Sequence, residues 1–267
     1  MGATRVQTGV SLGHVIDTHC HLDAIPNPHL SAAPLEALVA IGFNPERARA
    51  CLALTTDIPN VYATVGLHPC DAAMFSSAVR ADLEQLALEG KVVGIGESGV
   101  DYYWDANTKQ LQLESLDWQL DLARRLELPI VIHCRDKDGS RKAFADCAAN
   151  LRNAGWHKGI LHCFAGDAEL LETGLALGFH VSFAGNLTYK NAQIIRDSAS
   201  QVPLERLLIE TDAPYLSPVP MRGKPNRPEY VAYTLEVLAG LRDLPLETME
   251  AITSQNARAV YGLTSPA

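Results

Sequence analysis

Four histidines and two carboxylates stand at or near the ends of short apolar runs: His19 and His21, Glu97, His133, His162 and Asp212. Imidazole nitrogens and carboxylate oxygens are the mixed N/O donor set that divalent cations take in hydrolases. A mononuclear catalytic zinc needs only three protein ligands. Six ligands, one of them a carboxylate whose two oxygens can bridge, suit two cations about 3.5–4 Å apart. Such a pair lowers the pKa of water toward ~7 and clamps the oxygens of an in-line displacement. The chemistry expected is therefore metal-dependent hydrolysis, with two divalent cations (Mg, Mn or Zn) as cofactors.

The elements that must bring these residues together can be read from their flanks. The runs are Val15-Ile16-Asp17-Thr18-His19-Cys20-His21, Val92-Val93-Gly94-Ile95-Gly96-Glu97, Ile130-Val131-Ile132-His133, Gly159-Ile160-Leu161-His162 and Leu207-Leu208-Ile209-Glu210-Thr211-Asp212. They are apolar, often β-branched and mostly without polar alternation, which is the signature of strands buried on both faces of a parallel sheet. Strands are expected near 14–19, 37–42, 61–66, 91–96, 129–133, 158–162, 178–183 and 206–211, alternating with helices. The clearest helix runs from about Lys109 to Leu126, with Leu113, Leu116, Leu120 and Ala123 at helical spacing. Others span about Asn44–Thr56, Tyr230–Leu241 and Leu246–Val260. The fold class that gathers strand ends from distant parts of a chain is the α/β (β/α)8 TIM-type barrel, whose C-terminal rim carries the chemistry. The chain's 267 residues match the typical ~250 of one such barrel. The link after Leu22 is short and holds Pro26, Pro28 and Pro34, so the first helix is expected to be very short or replaced by a loop. Residues 1–13 are expected to form a disordered N-terminal tail, and 14–267 the barrel.

The formal charge of −9 argues against a broad footprint for duplex nucleic acid. It leaves room for one or two phosphates at a pocket whose field bound cations reverse. No apolar run approaches the ~18 residues that span a bilayer, and the N-terminus lacks the basic-then-apolar order of a signal peptide. A cytoplasmic protein without a membrane partner is expected, and no obligate protein partner is inferred. The six cysteines include no Cys-x-x-Cys pair and read as free thiols. Cys134 and Cys163 are expected to point toward the helices if His133 and His162 point into the barrel.

His19-x-His21 places two imidazoles on one face of an extended segment. Glu97 follows Gly96, and glycine in a strand marks a close approach of backbone or ligand. Gly94 to Gly99 formally match the dinucleotide fingerprint G-x-G-x-x-G, but that motif must open a helix. Val100-Asp101-Tyr102-Tyr103-Trp104 does not read as a helix start, so the nucleotide reading is rejected.

Taken in order, these motifs resemble the TatD-type metal-dependent deoxyribonucleases, within the wider metal-dependent hydrolase superfamily. The resemblance covers about Val15 to Tyr261. It is carried by Asp17 to Asp23, Val65-Gly66-Leu67-His68-Pro69, Gly96 to Tyr102, Ile132 to Arg135, His162 to Gly166, and Glu210 to Leu216 with Arg222-Gly223-Lys224. It implies that His19, His21, Glu97 and Asp212 hold one cation and that Glu97, His133 and His162 hold the second. The chain departs from the pattern in its short first crossover, at Ser98 and at Lys137.

The resemblance implies a two-metal deoxyribonuclease hydrolysing phosphodiester bonds, a 3′–5′ exonuclease on single-stranded DNA ends. Asp212 would orient the attacking water and act as base, and Glu97 would set the spacing of the ions. Expected substrate contacts are His68, Arg135, Tyr102, Arg222 and Lys224. Arg135 lies two residues past His133, and its guanidinium fork suits phosphate. Tyr102, Tyr103 and Trp104 could stack on a base. Arg222 and Lys224 lie in a proline-stiffened loop after the last strand. The alternative is hydrolysis of another ester such as a D-aminoacyl-tRNA, and a third reading is a non-enzymatic binding barrel. Lactone and cyclic-amide hydrolases of this superfamily often carry a bridging carboxylated lysine, and Glu97 in its place favours the nuclease.

Overall fold

A computed structural model describes residues 11–263. Eight parallel strands lie in sequential order: β1 (Ile16–Cys20), β2 (Ala37–Gly42), β3 (Val61–Val65), β4 (Val92–Asp101), β5 (Ile130–Arg135), β6 (Gly159–Leu161), β7 (His180–Phe183) and β8 (Leu207–Ile209). Helices alternate with them: α1 (Pro28–Ala32), α2 (Pro45–Asp57), α3 (Ser77–Leu86), α4 (Lys109–Arg125), α5 (Lys142–Ala154), α6 (Ala168–Ala176), α7 (Gln193–Gln201), α8 (Val231–Leu241) and α9 (Leu246–Tyr261). The architecture is the expected (β/α)8 barrel, and α1 is the expected stub of five residues.

Every residue of β1, β2 and β4 is buried, which is why these runs carry so little polar alternation. One apolar cluster fills the layer between sheet and helices. A second sits inside the barrel, where Ile16, Val39, Ile41, Val93, Val131, Ile160 and Leu208 meet Ala257, Val260 and Tyr261 of α9. The Tyr261 hydroxyl donates to the Thr18 carbonyl at 3.0 Å, so α9 is pinned to β1. With the barrel interior packed, the open end left for chemistry is the rim where the strands finish. Helices that leave this rim are capped by side chains: Asn44 accepts from the Arg47 amide and Asp167 from the Leu170 amide.

The last seam, between β8 and β1, is closed largely by side chains. Asp17 accepts from the Thr211 amide at 2.9 Å and from its hydroxyl at 2.5 Å, while Thr18 donates to the Ile209 carbonyl at 2.9 Å. Further along, the Asp212 amide donates to the His19 carbonyl and the His21 amide to the Ala213 carbonyl. Burial pushes the Asp17 carboxyl up to about 8, against the opposing effect of its bonds to Thr211 and His19. Asp17 is thus a seam residue that fixes the Thr211–Asp212 segment beside His19 and His21.

Several strands differ from the expected bounds. β4 does not stop at residue 96 but continues to Asp101, because Gly99, Val100 and Asp101 stay paired with His133, Cys134 and Arg135 of a β5 that also runs on. Glu97 therefore lies inside a strand, at a register slip between Ile95 and Ser98. Gly96 (φ 132°) and Gly99 (φ 142°) adopt backbone that side chains rarely tolerate, and a Cβ on Gly96 would come within 2.7 Å of the Val131 carbonyl oxygen. A Cβ on Gly99 would overlap the His133 carbonyl outright. Gly99→Ala is accordingly expected to lower stability by about 3 kcal/mol or more, read as a shifted chemical-denaturation midpoint. An unchanged midpoint would contradict this account of β4. Conversely, β6 and β8 end at Leu161 and Ile209, so His162 and Asp212 sit just past their strands.

The tail expected over 1–13 falls on residues 1–10 outside the described part. Leu12–His14 form a 3-10 turn, and the His14 carbonyl accepts from Ser254. No described helix is long and apolar enough to cross a membrane.

Candidate metal centre

All six sequence-selected ligands meet at one end of the barrel. Glu97, 3% exposed, lies at the middle and divides them by its two oxygens. Oε1 lies 2.9 Å from His133 Nδ1, 2.8 Å from His162 Nε2 and 3.5 Å from His68 Nε2. Oε2 lies 3.6 Å from His19 Nε2. Asp212 Oδ1 completes that side, 3.7 Å from His19 Nε2 and 3.3 Å from His21 Nε2. Three groups of ligand atoms lie within 4.8 Å of one another: His19/Glu97/His162, His19/His21/Asp212 and His68/Glu97/His133. They share His19 and Glu97, so they are parts of one constellation.

Whether these residues fit a divalent cation can be tested on their hydrogen bonds. Both ring nitrogens of His19 and Nδ1 of His21 are buried without a partner. A buried polar atom left unpaired is costly, and a cation at Nε2 would satisfy His19 on that side. Two of the ligands carry a carboxylate behind them. His133 Nε2 bonds Asp101 Oδ2 at 2.9 Å, and His162 Nδ1 bonds Glu210 Oε1 at 3.1 Å. Each such bond fixes the tautomer that leaves the other nitrogen aimed at Glu97. The donor set fits.

The electrostatics agree. Burial works to raise the Glu97 carboxyl, but His162 and His68, with hydrogen bonds from His133 and His162, hold it well below the usual carboxylate range. Asp212 and Asp101 are likewise lowered against burial, by His21 and by His133 respectively. Burial opposes charge on His162 too, yet Glu97 and Glu210 raise it well above the ordinary imidazole value. His133 is raised by Asp101 and Glu97, and His21 by Asp212. Burial dominates at His19 and His68, which are lowered.

Protons therefore occupy His21, His133 and His162 at a pH where free imidazole has lost them, and a cation must displace them. Metal affinity is expected to fall as pH falls, with net proton release on binding. Calorimetric titration of the metal in two buffers of different ionisation enthalpy measures that release. Binding that frees no protons and ignores pH would contradict this electrostatic arrangement.

A cavity of about 700 Å³ opens over the constellation. Its lining includes three carboxylates, Glu97, Asp101 and Asp212, and a single basic side chain among lysines and arginines, Arg135. Two divalent ions held there would add the positive charge that draws a phosphate into such a cavity.

A family model described as TatD related DNase matches residues 16–262. The chain belongs to this family. Among TatD relatives, the metal-dependent hydrolase YabD of Bacillus subtilis (strain 168) is 36% identical over 257 residues, covering 92% of this chain and 98% of YabD. The metal-dependent hydrolase YcfH of Escherichia coli (strain K12) is 37% identical over 262 residues, covering 92% and 95%. The crystal structure of YjjV, a TatD homologue from Escherichia coli K12, superposes with a TM-score of 0.87 at 30% identity, covering 95% of this chain and all of that one. The protein is a metal-dependent hydrolase of the TatD family.

The expected substrate contacts of this TatD protein divide sharply. His68 reaches the centre itself: its Nδ1 accepts from the Cys70 amide and its Nε2 faces Glu97. Arg135 lines the cavity. Tyr102 does not, and its expected stacking role is corrected: it is 2% exposed and its hydroxyl donates to Asp146 at 2.9 Å. Arg222 lies over the Tyr189 ring at 4.0 Å, and neither it nor Lys224 lines the cavity. The loop that carries both is drawn in on itself, with Ser217 donating to the Lys224 carbonyl. Cys163 also departs from expectation. The backbone turns left-handed there (φ 42°), breaking the alternation that would have faced it outward, and it lines the cavity. Cys134 lines it as well, and all six cysteines are free.

Sequence reasoning assigned no role to Asp101 or Glu210. A signal was present, since Asp101 and Glu97 are an even number of residues apart on one strand, as are Glu210 and Asp212 on one segment.

Proposed function

We propose that this TatD protein hydrolyses phosphodiester bonds at single-stranded DNA ends, removing nucleotides 3′ to 5′ with two divalent cations. The observation that carries the reading is buried Glu97, whose Oε1 faces His68, His133 and His162 while its Oε2 faces His19 on the other side. His19, His21, Glu97 and Asp212 would hold one cation, and Glu97, His133 and His162 the other. When bound, such cations neutralise phosphate charge and lower the pKa of water.

The chain's own groups do the rest. Asp212 turns Oδ1 toward His19 and His21 and has Oδ2 to orient a water and take its proton. Its low pKa keeps it ionised for that role at neutral pH. Asp101 and Glu210 hold His133 and His162 in one orientation each. Arg135 can pair with a substrate phosphate through its planar fork. A cavity lined by one arginine and no lysine suits a chain end presenting one or two phosphates, not a long duplex.

The test is end-labelled single-stranded DNA incubated with metal-reconstituted protein, beside an aminoacyl-tRNA. Stepwise shortening from the 3′ end that stops on chelation is the expected result. Deacylation of the tRNA with the DNA left intact would move the assignment to the ester alternative.

A further inference from the structure

The large apolar side chains left exposed on the described surface are few, and only two of them, Trp104 and Tyr215, line the catalytic cavity. Trp104 is 68% exposed and Tyr215 58% exposed. Both are held by their backbones. The Trp104 and Tyr103 amides each donate to Asp101 Oδ1 at 2.9 Å, and the other oxygen of Asp101 holds His133. The Tyr215 amide donates to the Asp212 carbonyl at 2.9 Å, and its ring meets the His21 ring edge-on at 5.6 Å. One aromatic is thus tied to the His133 side of the centre and the other to the His21 side. Arg135 lies 4.1 Å from the Tyr103 ring centre and 5.5 Å from that of Trp104, so a guanidinium borders the first aromatic.

We propose that Trp104 and Tyr215 are stacking platforms for unpaired nucleobases on either side of the scissile phosphodiester, and that they make the enzyme select for single strands. The inference rests on the phosphodiesterase reading above and names what that site recognises. A flat apolar face beside a cation matches a nucleotide, whose base stacks while its phosphate pairs with Arg135. Every base has such a face, so the platforms read strandedness without reading sequence. A base engaged in a duplex is stacked on its neighbours and cannot reach them. Asp101 gives the arrangement its register, because the same carboxylate sets His133 and the turn that carries Trp104.

The experiment compares two single-stranded oligonucleotides, one with ordinary terminal nucleotides and one with tetrahydrofuran abasic units at both ends. Wild type, Trp104→Ala, Trp104→Phe and Tyr215→Ala are assayed with each. Wild type is expected to show a KM about ten-fold or more higher on the abasic oligonucleotide. Trp104→Ala and Tyr215→Ala should raise KM on the normal substrate toward the abasic value, with the loss in KM and not in kcat. Trp104→Phe should recover most of the difference. Equal KM for both oligonucleotides in wild type, or an equal rise on both in Trp104→Ala, would overturn the platform while leaving the nuclease reading intact. Hydrolysis of neither oligonucleotide by wild type would overturn the nuclease reading and the platform with it.

Discussion

Replacing Glu97 with alanine is expected to leave a folded barrel whose hydrolytic rate has dropped about a thousand-fold or more. The size of the loss follows from position. Glu97 faces His133, His162 and His68 with one oxygen and His19 with the other, so one truncation removes a donor from both halves of the centre. The fold should survive, because the barrel is held by its two apolar clusters and by the Asp17–Thr211 seam, none of which includes Glu97. Glu97→Gln separates charge from shape: it keeps the volume and one oxygen but removes the carboxylate. It should fall with the alanine variant. Both are read as kcat/KM on a labelled oligonucleotide, with a circular-dichroism melt to establish folding. Undiminished turnover in either would refute the role of Glu97.

Asp212→Asn is expected to be the second largest loss, about 10²–10⁴-fold in kcat with a smaller change in KM. The amide retains an oxygen toward His19 and His21, so a cation can still be held there, but it cannot take a proton. The native carboxyl is kept ionised by His21 and His19, against its burial, so the group lost is a base and not an acid. The split between kcat and KM is the discriminating readout. A variant impaired in KM alone would place Asp212 among binding groups and remove it from proton transfer.

These residues were legible in the sequence for a physical reason. Strands buried on both faces cannot alternate, so their apolar runs stand out, and a charged or imidazole side chain at the end of such a run is conspicuous. The short α1 was legible in the same way, from three prolines in a link too brief for a full crossover. What sequence could not supply is geometry that depends on neighbours. Whether β4 ends at Glu97 or runs on to Asp101 is decided by its pairing with β5, and the length of β5 is itself a tertiary outcome. The Tyr102-Tyr103-Trp104 run offered three candidate stacking groups with nothing to rank them. Burial of Tyr102 against Asp146 sets one of them apart, and of the other two Trp104 lines the cavity and Tyr103 does not. Arg222 and Lys224 depend on loop geometry in the same way. A basic loop after the last strand reads as a phosphate site, but its turns fold it onto itself and lay Arg222 on Tyr189. Cys163 fails the alternation rule because strand geometry had already ended at Leu161.

The measurement that bears most directly on the whole scheme is the number of divalent ions held per chain and their coupling. Mn(II) titrated into metal-free protein can be followed by equilibrium dialysis and electron paramagnetic resonance. Two ions per chain with a spin-coupled spectrum, which Glu97→Ala converts to uncoupled or single-ion binding, is the result expected. A single ion per chain, or a pair without coupling that Glu97→Ala leaves untouched, would contradict a carboxylate-bridged centre.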